Sequence, residues 1–205
     1  MRDYTRRATT DCIGAAARLR SVSVMAGRSS ASLKSWQRQA VRRITAGRRA
    51  TLAFIDRLPE TEIRRPRTQD KWSVKDVLAH LLACDEETNR RFRLIARGQA
   101  DRIQWFSSLA YADRFNARTV GQLRRLGLPA LRRRMQRAHT ELIRRLRRLP
   151  PAALNDPSHE YPVVEWLPAP GWSHEREHIG EVQAWWRRRR KELARRASIA
   201  PPGGA

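Results

Sequence analysis

The sequence predicts an all-α protein, folded as a four-helix bundle in which long crossover connections join some of the helices. Apolar residues recur at intervals of three and four in four long segments, and no segment shows the alternation of a convincing strand. Residues that typically begin or end helices lie at the ends of these segments. With 205 residues, 40% of them hydrophobic, the chain can form one domain with a real core.

The first two helices are predicted from their apolar spacing and their end signals. The first runs from about residue 35 to residue 58, and Pro59 ends it. The second opens at Ser73, whose hydroxyl can cap the free N–H groups while Asp76 reaches back to form a capping box. Gly98 is well placed to end this helix.

The other two long helices lie in the second half of the chain. A shorter helical stretch over residues 111–123 leads to the third, which has Pro129 in its first turn and an apolar stripe that reaches Leu149. Six prolines in residues 150–171 predict a long connection without an element of its own. The fourth helix is expected to begin near Ser173.

The helical segments define one domain with a tail at each end. Residues 1–33 are basic, rich in Ser and Ala and without apolar periodicity, so we expect a disordered or loosely helical extension, for which Met25 is an alternative first residue. Residues 34–197 form the bundle, and residues 198–205 form a flexible tail. No stretch has the length and apolarity of a signal peptide or a membrane span, so we expect a cytoplasmic protein.

The charge of the chain is strongly positive, at +23, and it comes from 39 Arg and only 4 Lys. Such a charge is compatible with nucleic acid, anionic lipid or an acidic partner. An Arg bias this strong, with abundant Ala and Pro, also follows from a GC-rich genome, and the basic runs of the third helix match its solvated side. We therefore expect no specific nucleic-acid site, although non-specific binding at low salt stays open. The two cysteines, Cys12 and Cys84, suggest no disulfide framework.

The letters HEREH at residues 174–178 match the H-E-x-x-H helix of zinc metalloproteases, in which Glu175 would be the general base. That interpretation also needs a third ligand further along the chain and a strand for the substrate. The longer form of the motif needs a Gly where this chain has Glu181, and no His follows His178. A protease is therefore disfavoured.

A metal site remains the alternative use of these histidines. His174 and His178 share one helix face, and both imidazoles can reach one ion. His80 lies in the apolar run VLAHLLAC, and it would supply a third ligand if the second and fourth helices are neighbours. Three histidines with water in the remaining position form an open, chemically competent site. His139 and His159 are expected at surface or loop positions.

Several stretches resemble one protein superfamily in their order and spacing. DKWSVKDVLAHLLACDEE resembles the second-helix signature of DinB/YfiT-like proteins, and WSHEREHIGEVQAW resembles their last-helix signature. The segment YADRFNARTV, the LPPAAL turn and the final H-x-x-x-H-x-x-E-x-x-x-W pattern are most similar to the ClbS/DfsB branch. The resemblance covers roughly residues 35–192, and it implies a bacterial four-helix bundle of the DinB/YfiT type.

The resemblance also implies a function. Carried over by position, His80, His174 and His178 would hold a divalent metal, zinc or nickel, in a pocket for a small-molecule substrate. Relatives include thiol-dependent transferases and isomerases with a low-molecular-weight thiol cosubstrate, which implies a metal-dependent transferase or hydrolase. The ClbS/DfsB branch implies the alternative, a metal-free binding or self-protection protein that acts on a reactive small molecule. A homodimer is a further open expectation.

Other residues are candidates for the pocket. Cys84, one turn after His80, departs from the large aromatic expected in relatives, and three interpretations stay open: a small buried residue, a fourth metal ligand or a reactive thiol. Three tryptophans are candidates for the walls of a substrate pocket, although a Trp at a helix end also commonly seals a core. These are Trp105, Trp166 and Trp172.

Three glutamates share the last helix with the two histidines. We assign a catalytic role to Glu181, which would orient an imidazole or move a proton. Glu175 and Glu177 are expected to face solvent as partners for Arg.

Overall fold

The computed structural model describes residues 29–67 and 72–199, and within these ranges the chain is helical and contains no strand, which confirms the all-α prediction. The helices are α1 (Ser30–Ile55), α2 (Glu60–Arg64), α3 (Val74–Ala96), α4 (Leu109–Leu123), α5 (Leu128–Arg148), α6 (Pro151–Leu154), α7 (Val163–Trp166) and α8 (His174–Ile199). A 3₁₀ turn occupies Ala100–Arg102, and a π-helical turn occupies Ala169–Ser173. The predictions for residues 1–28 and for the end of the tail lie outside the described residues.

The helix ends follow the chemistry of their sequences. Ser73 begins α3 with the predicted capping box, because its side chain accepts from the backbone N–H of Asp76 and the Asp76 carboxylate accepts from the backbone N–H of Ser73. Gly98 follows the end of α3 with a φ of 66°, in the left-handed region that glycine tolerates best. Pro129 lies in the first turn of α5, where its missing N–H costs nothing.

The tract of residues 150–171 differs from its prediction as a connection without elements. It contains α6, α7 and most of the π-helical turn, and five of its six prolines lie at the starts of these short segments, the exception being Pro157 in a turn. Proline fixes a backbone angle that suits the first turn of a helix, so a proline-rich tract can form short helices in succession. The π-helical turn packs against α1 at Gly171, where an added Cβ would lie 3.4 Å from the side chain of Ile44, an ordinary packing distance.

The helix α3 is the centre of the fold, and its neighbours include α5, α4, α2 and α8. Buried residues occur on most of its faces, whereas α5 is amphipathic and buries one stripe. Two apolar clusters lie along the bundle. One surrounds Leu78, Leu131 and Val182, and the other surrounds Phe92 and Leu146. Because α3 is surrounded by other helices, polar side chains on its inward faces are buried in the interior of the protein.

Candidate metal centre

Two helices bring three histidines together. His80 lies on the inner face of α3, and His174 and His178 lie in the first two turns of α8. The three side chains are 1%, 3% and 3% exposed. The adjacency of the second and fourth long helices, on which the three-histidine site depended, is therefore present, and the candidate ligands lie inside the protein rather than on its surface.

The three imidazoles meet through the same ring atom. The Nε2 atom of His174 lies 3.1 Å from Nε2 of His80 and 2.9 Å from Nε2 of His178. The potential ligand atoms of the three residues all lie within 4.8 Å of one another. In a tetrahedral site with zinc–nitrogen bonds of about 2.0–2.1 Å, ligand nitrogens lie about 3.3 Å apart, so the spacing here is close to that of a coordinated set.

The chemistry of this donor set also fits a metal. A ring nitrogen carries either one hydrogen or one lone pair, so Nε2 of His174 can form one well-directed hydrogen bond and not two. Burial and the imidazoles of His174 and His178 hold the pKa of His80 well below its usual range, which keeps His80 neutral. Neutral imidazoles with converging lone pairs are good ligands for zinc or nickel. The residues present therefore fit a divalent ion.

An aromatic residue and an amide border the three histidines. The ring centroid of Trp72 lies 5.1 Å from that of His80 and 6.5 Å from that of His178. Asn116, on α4, lies near His80, and its side chain slightly opposes the lowering of the pKa of His80. Neither residue was among the predicted site residues, although Trp72 belongs to the Trp-Ser opening of α3 and Asn116 to the segment YADRFNARTV, so the signals were present in the sequence.

Glu181 lies beside the metal-ligand candidates but on the far side of one ring. Its carboxylate is 3.8 Å from Nδ1 of His178, the nitrogen opposite the one that faces His174. A carboxylate in this position favours the tautomer with a hydrogen on Nδ1, which directs the Nε2 lone pair toward the cluster. The geometry favours orientation of His178 over direct contact with a reacting group.

The expectation that Glu175 faces solvent is wrong. Glu175 is buried, and its two carboxylate oxygens accept hydrogen bonds from the Arg48 guanidinium at 2.9 and 3.2 Å. The same guanidinium donates to Asp85 at 2.9 Å. Arg48 belongs to α1, Asp85 to α3 and Glu175 to α8, so one buried cation joins three helices. Glu177, in contrast, is exposed as expected.

The two carboxylates explain why Arg48 stays charged although it is buried. Burial disfavours the charged guanidinium, but the carboxylates of Asp85 and Glu175 outweigh it and raise the pKa of Arg48 above its usual value. Burial raises the pKa of Asp85 to about 6, although Arg48 opposes that shift. Removal of the arginine alone would leave two carboxylates in the interior without a counter-charge.

The expectation of a surface position is also wrong for His139. This residue is buried on α5, between the inward-facing Met135 and Leu142, and its Nδ1 has no hydrogen-bond partner among the described residues. Burial and the positive charge of Arg48 lower the pKa of His139 to about 4. His159 lies in the loop after α6, as expected, with its Nε2 3.5 Å from Asp156.

Cys84 is a buried thiol next to the histidine cluster. Its Sγ lies 3.8 Å from Nε2 of His80. The group of ligand atoms within 4.8 Å of one another comprises the three histidines and does not include Cys84. Among the described residues, this geometry favours a neighbouring thiol over a fourth ligand.

The three predicted pocket tryptophans lie in two different places. Trp105 and Trp166 are in contact, with ring centroids 5.8 Å apart, in the apolar cluster around Phe92. Trp172 lines a cavity of about 630 Å³ between α1 and α8, where the guanidinium of Arg43 lies over its ring. The aromatic residue in ring contact with His80 is Trp72.

The basic surface is partly paired with acidic side chains. On α5, Arg134 pairs with Glu86 of α3, and Arg144 pairs with Glu141 one turn away. These pairs match the interpretation of the basic runs as a solvated face. Among the described residues, no helix has the length and apolarity needed to cross a membrane.

Comparison with known proteins identifies the family. A family model of the DinB superfamily matches residues 43–182, which is more than half of the chain and includes all three clustered histidines. No curated protein and no solved structure matches the chain significantly. The similarity to the ClbS/DfsB branch stays a prediction. From the extent of the family match, the chain belongs to the DinB superfamily.

Proposed function

We propose that this protein is a metal-dependent small-molecule enzyme, a thiol-dependent transferase or a hydrolase, with one divalent ion on His80, His174 and His178. The observation that carries the proposal is the convergence of three buried Nε2 atoms at 2.9 and 3.1 Å. A divalent ion held there would supply a Lewis acid that favours ionisation of a bound water or thiol.

The residues around the histidines support this proposal by what they can do. Trp72 packs beside His80 and His178, which are both buried away from bulk water. The carboxylate of Glu181, 3.8 Å from Nδ1 of His178, favours a hydrogen on that nitrogen and a lone pair on the opposite one. Glu175 is engaged by Arg48 and does not act as a protease-type base. Small-molecule chemistry suits this site better than peptide hydrolysis.

The decisive experiment is elemental analysis of protein purified without a nickel column, beside the His80→Ala variant. We expect about one zinc or nickel per wild-type chain and a strong loss in the variant. His159→Ala is the matched control, because this histidine lies outside the cluster and its loss should leave the metal content unchanged. Metal-free wild-type protein with normal helical content would contradict the proposal.

One observation favours the second candidate, a metal-free binding or self-protection protein of the ClbS/DfsB kind. Asn116, which lies near His80 and influences its pKa, belongs to the segment that resembles this branch. In this alternative the histidines bind or protonate a reactive compound directly. Protein without metal that still protects against or consumes a reactive electrophile, and that loses this ability in Asn116→Ala, would support the alternative.

A further inference from the structure

A second polar site lies further along α3 from the histidines, around Arg91. This arginine is buried, and three aromatic rings surround its guanidinium. The Cζ atom lies 4.6 Å from the ring centroid of Trp105, 5.3 Å from that of Phe106 and 5.5 Å from that of Trp166. Cation–π contacts favour a cation in such a setting, but they do not satisfy its N–H donors.

The charges around Arg91 do not balance. Glu87 is the carboxylate with which Arg91 pairs, through Nε at 3.0 Å. The same carboxylate accepts two hydrogen bonds of 2.8 Å from Arg90. Two guanidinium groups therefore share one carboxylate, and the cluster has one excess positive charge.

Two buried donor nitrogens at this place have no partner among the described residues. Nη2 of Arg91 is buried and makes no hydrogen bond within the part of the chain that the structure describes, and the same is true of Nε1 of Trp166. The two side chains are in contact. Buried donors without acceptors are costly, most of all when one of them is charged. The missing component is an acceptor, and the excess charge favours a negative one.

We propose that Arg91 and Trp166 form a binding site for the carboxylate of a small-molecule ligand. The planar guanidinium suits a carboxylate, since its N–H groups match the spacing of the two oxygens, and the indole N–H supplies a further donor. Trp105 and Phe106, which are half-buried, border the site on the side of the chain segment between α3 and α4. A buried water would satisfy donors but would leave the charge unbalanced.

The position of this site gives it a role in the proposed function, on which this step rests. His80, Cys84 and Arg91 lie at intervals of four and seven on one face of α3. Eleven residues correspond to about 16 Å of helix rise, and the longer arginine side chain extends back toward the N-terminus, so the guanidinium lies about 10–15 Å from the imidazole of His80. The substrate class is thus a small molecule with a carboxylate at one end and its reacting group at the other.

The test uses metal-free protein, so its outcome does not depend on the metal proposal. Sodium acetate is titrated against ¹⁵N-labelled protein at constant ionic strength, with sodium chloride as the replaced salt. The indole N–H signal of Trp166, assigned with Trp166→Phe, reports the bond directly. We expect a saturable downfield shift with acetate in the wild-type protein. No shift of this signal overturns the proposal.

Variants separate a specific site from a general effect of charge. Arg91→Gln should weaken acetate binding roughly tenfold or more, because a charged donor is lost. Arg93→Gln, an exposed arginine on the same helix, is the matched control and should leave the affinity unchanged. An equal loss in both variants overturns the proposal and identifies non-specific attraction.

A third variant keeps the test valid if Arg91→Gln does not fold. Glu87→Gln removes the carboxylate that competes for Arg91, so acetate should bind several-fold more tightly. An unchanged or weaker affinity in Glu87→Gln contradicts the carboxylate site. Acetate binding by a protein that binds no metal would refute the proposed metalloenzyme and support the carboxylate site. Metal binding without acetate binding would support the metalloenzyme and refute the carboxylate site.

Discussion

Replacement of Arg48 by Met tests whether the buried cation holds the metal-ligand helices in place. Arg48 bridges Asp85 on α3 and Glu175 on α8, with hydrogen bonds of 2.9, 2.9 and 3.2 Å. His80 lies on the first of these helices, and Glu175 directly follows His174 on the second. Arg48 does not touch the histidine cluster through any described contact, so it is a positioning residue.

The magnitude follows from what the variant leaves behind. Met fills most of the volume of Arg, but both carboxylates stay in the interior without their counter-charge. Removal of one member of a buried ion pair costs about 3–5 kcal/mol of the free energy of unfolding. The two helices would then lose the ion pairs that join them at this point. We expect metal affinity to fall by about tenfold, which is the lower end of the effect seen when a residue that supports metal ligands is removed.

The assays are urea denaturation followed by circular dichroism and metal competition with a chromophoric chelator. Arg189→Met is the matched control for metal affinity, since Arg189 binds Glu62 through two hydrogen bonds of 3.1 Å but joins α8 to α2 instead of α3. The triple change of Arg48→Met, Asp85→Asn and Glu175→Gln should recover much of the lost stability, because it removes all three buried charges.

Two results would refute this account of Arg48. A loss of stability below about 1 kcal/mol in Arg48→Met would mean that the carboxylates find water or protons at little cost. Equal losses of metal affinity in Arg48→Met and Arg189→Met would mean that any disturbance of the bundle loosens the histidines, and that Arg48 has no special positioning role.

Two further predictions concern buried groups near the cluster. The folded-state pKa of His139 is about 4 and its unfolded value is about 6.5, so the unfolded chain binds more protons as pH falls through this window, and stability is lost with it. Between pH 8 and pH 5, the free energy of unfolding measured by urea denaturation in metal-free protein should fall by about 2 kcal/mol less in His139→Gln than in the wild type. Equal decreases in the two proteins would contradict this assignment. Cys84→Ala should keep its metal, and the absorption spectrum of the cobalt-loaded wild-type protein should lack an intense thiolate charge-transfer band; such a band, absent from the variant, would make Cys84 a ligand.

The parts of the fold that depend on local sequence were predictable. The capping box at Ser73 and the end of α3 near Gly98 follow from contacts within a few residues, and both occur as expected. The spacing of His174 and His178 is equally local. The clustering of His80 with them is not, because 94 residues separate it from His174, and only the family resemblance indicated that the two helices are neighbours.

The wrong expectations have identifiable causes. Glu175 was assigned to solvent because its helix is rich in charge, yet its partner Arg48 is 127 residues away and nothing local distinguishes it from the other 38 arginines. His139 could have been placed correctly, because it lies four residues after Met135 and three before Leu142 and so shares their buried face. The polar residues next to His139 in the sequence made this regular apolar spacing hard to recognise.

The letters HEREH thus have a different meaning in this fold from the one they have in a protease. Both oxygens of Glu175 accept from Arg48, so the glutamate of the motif is committed to an ion pair between helices instead of a free position at the cluster. Glu181 lies beside Nδ1 of His178, the ring nitrogen that faces away from the cluster, so it is not placed to act as the base instead of Glu175. Under the proposed function, the nucleophile must therefore ionise with little help from a protein base. A thiol ionises more readily than water does beside the same ion, so under the proposed function thiol transfer is favoured over hydrolysis.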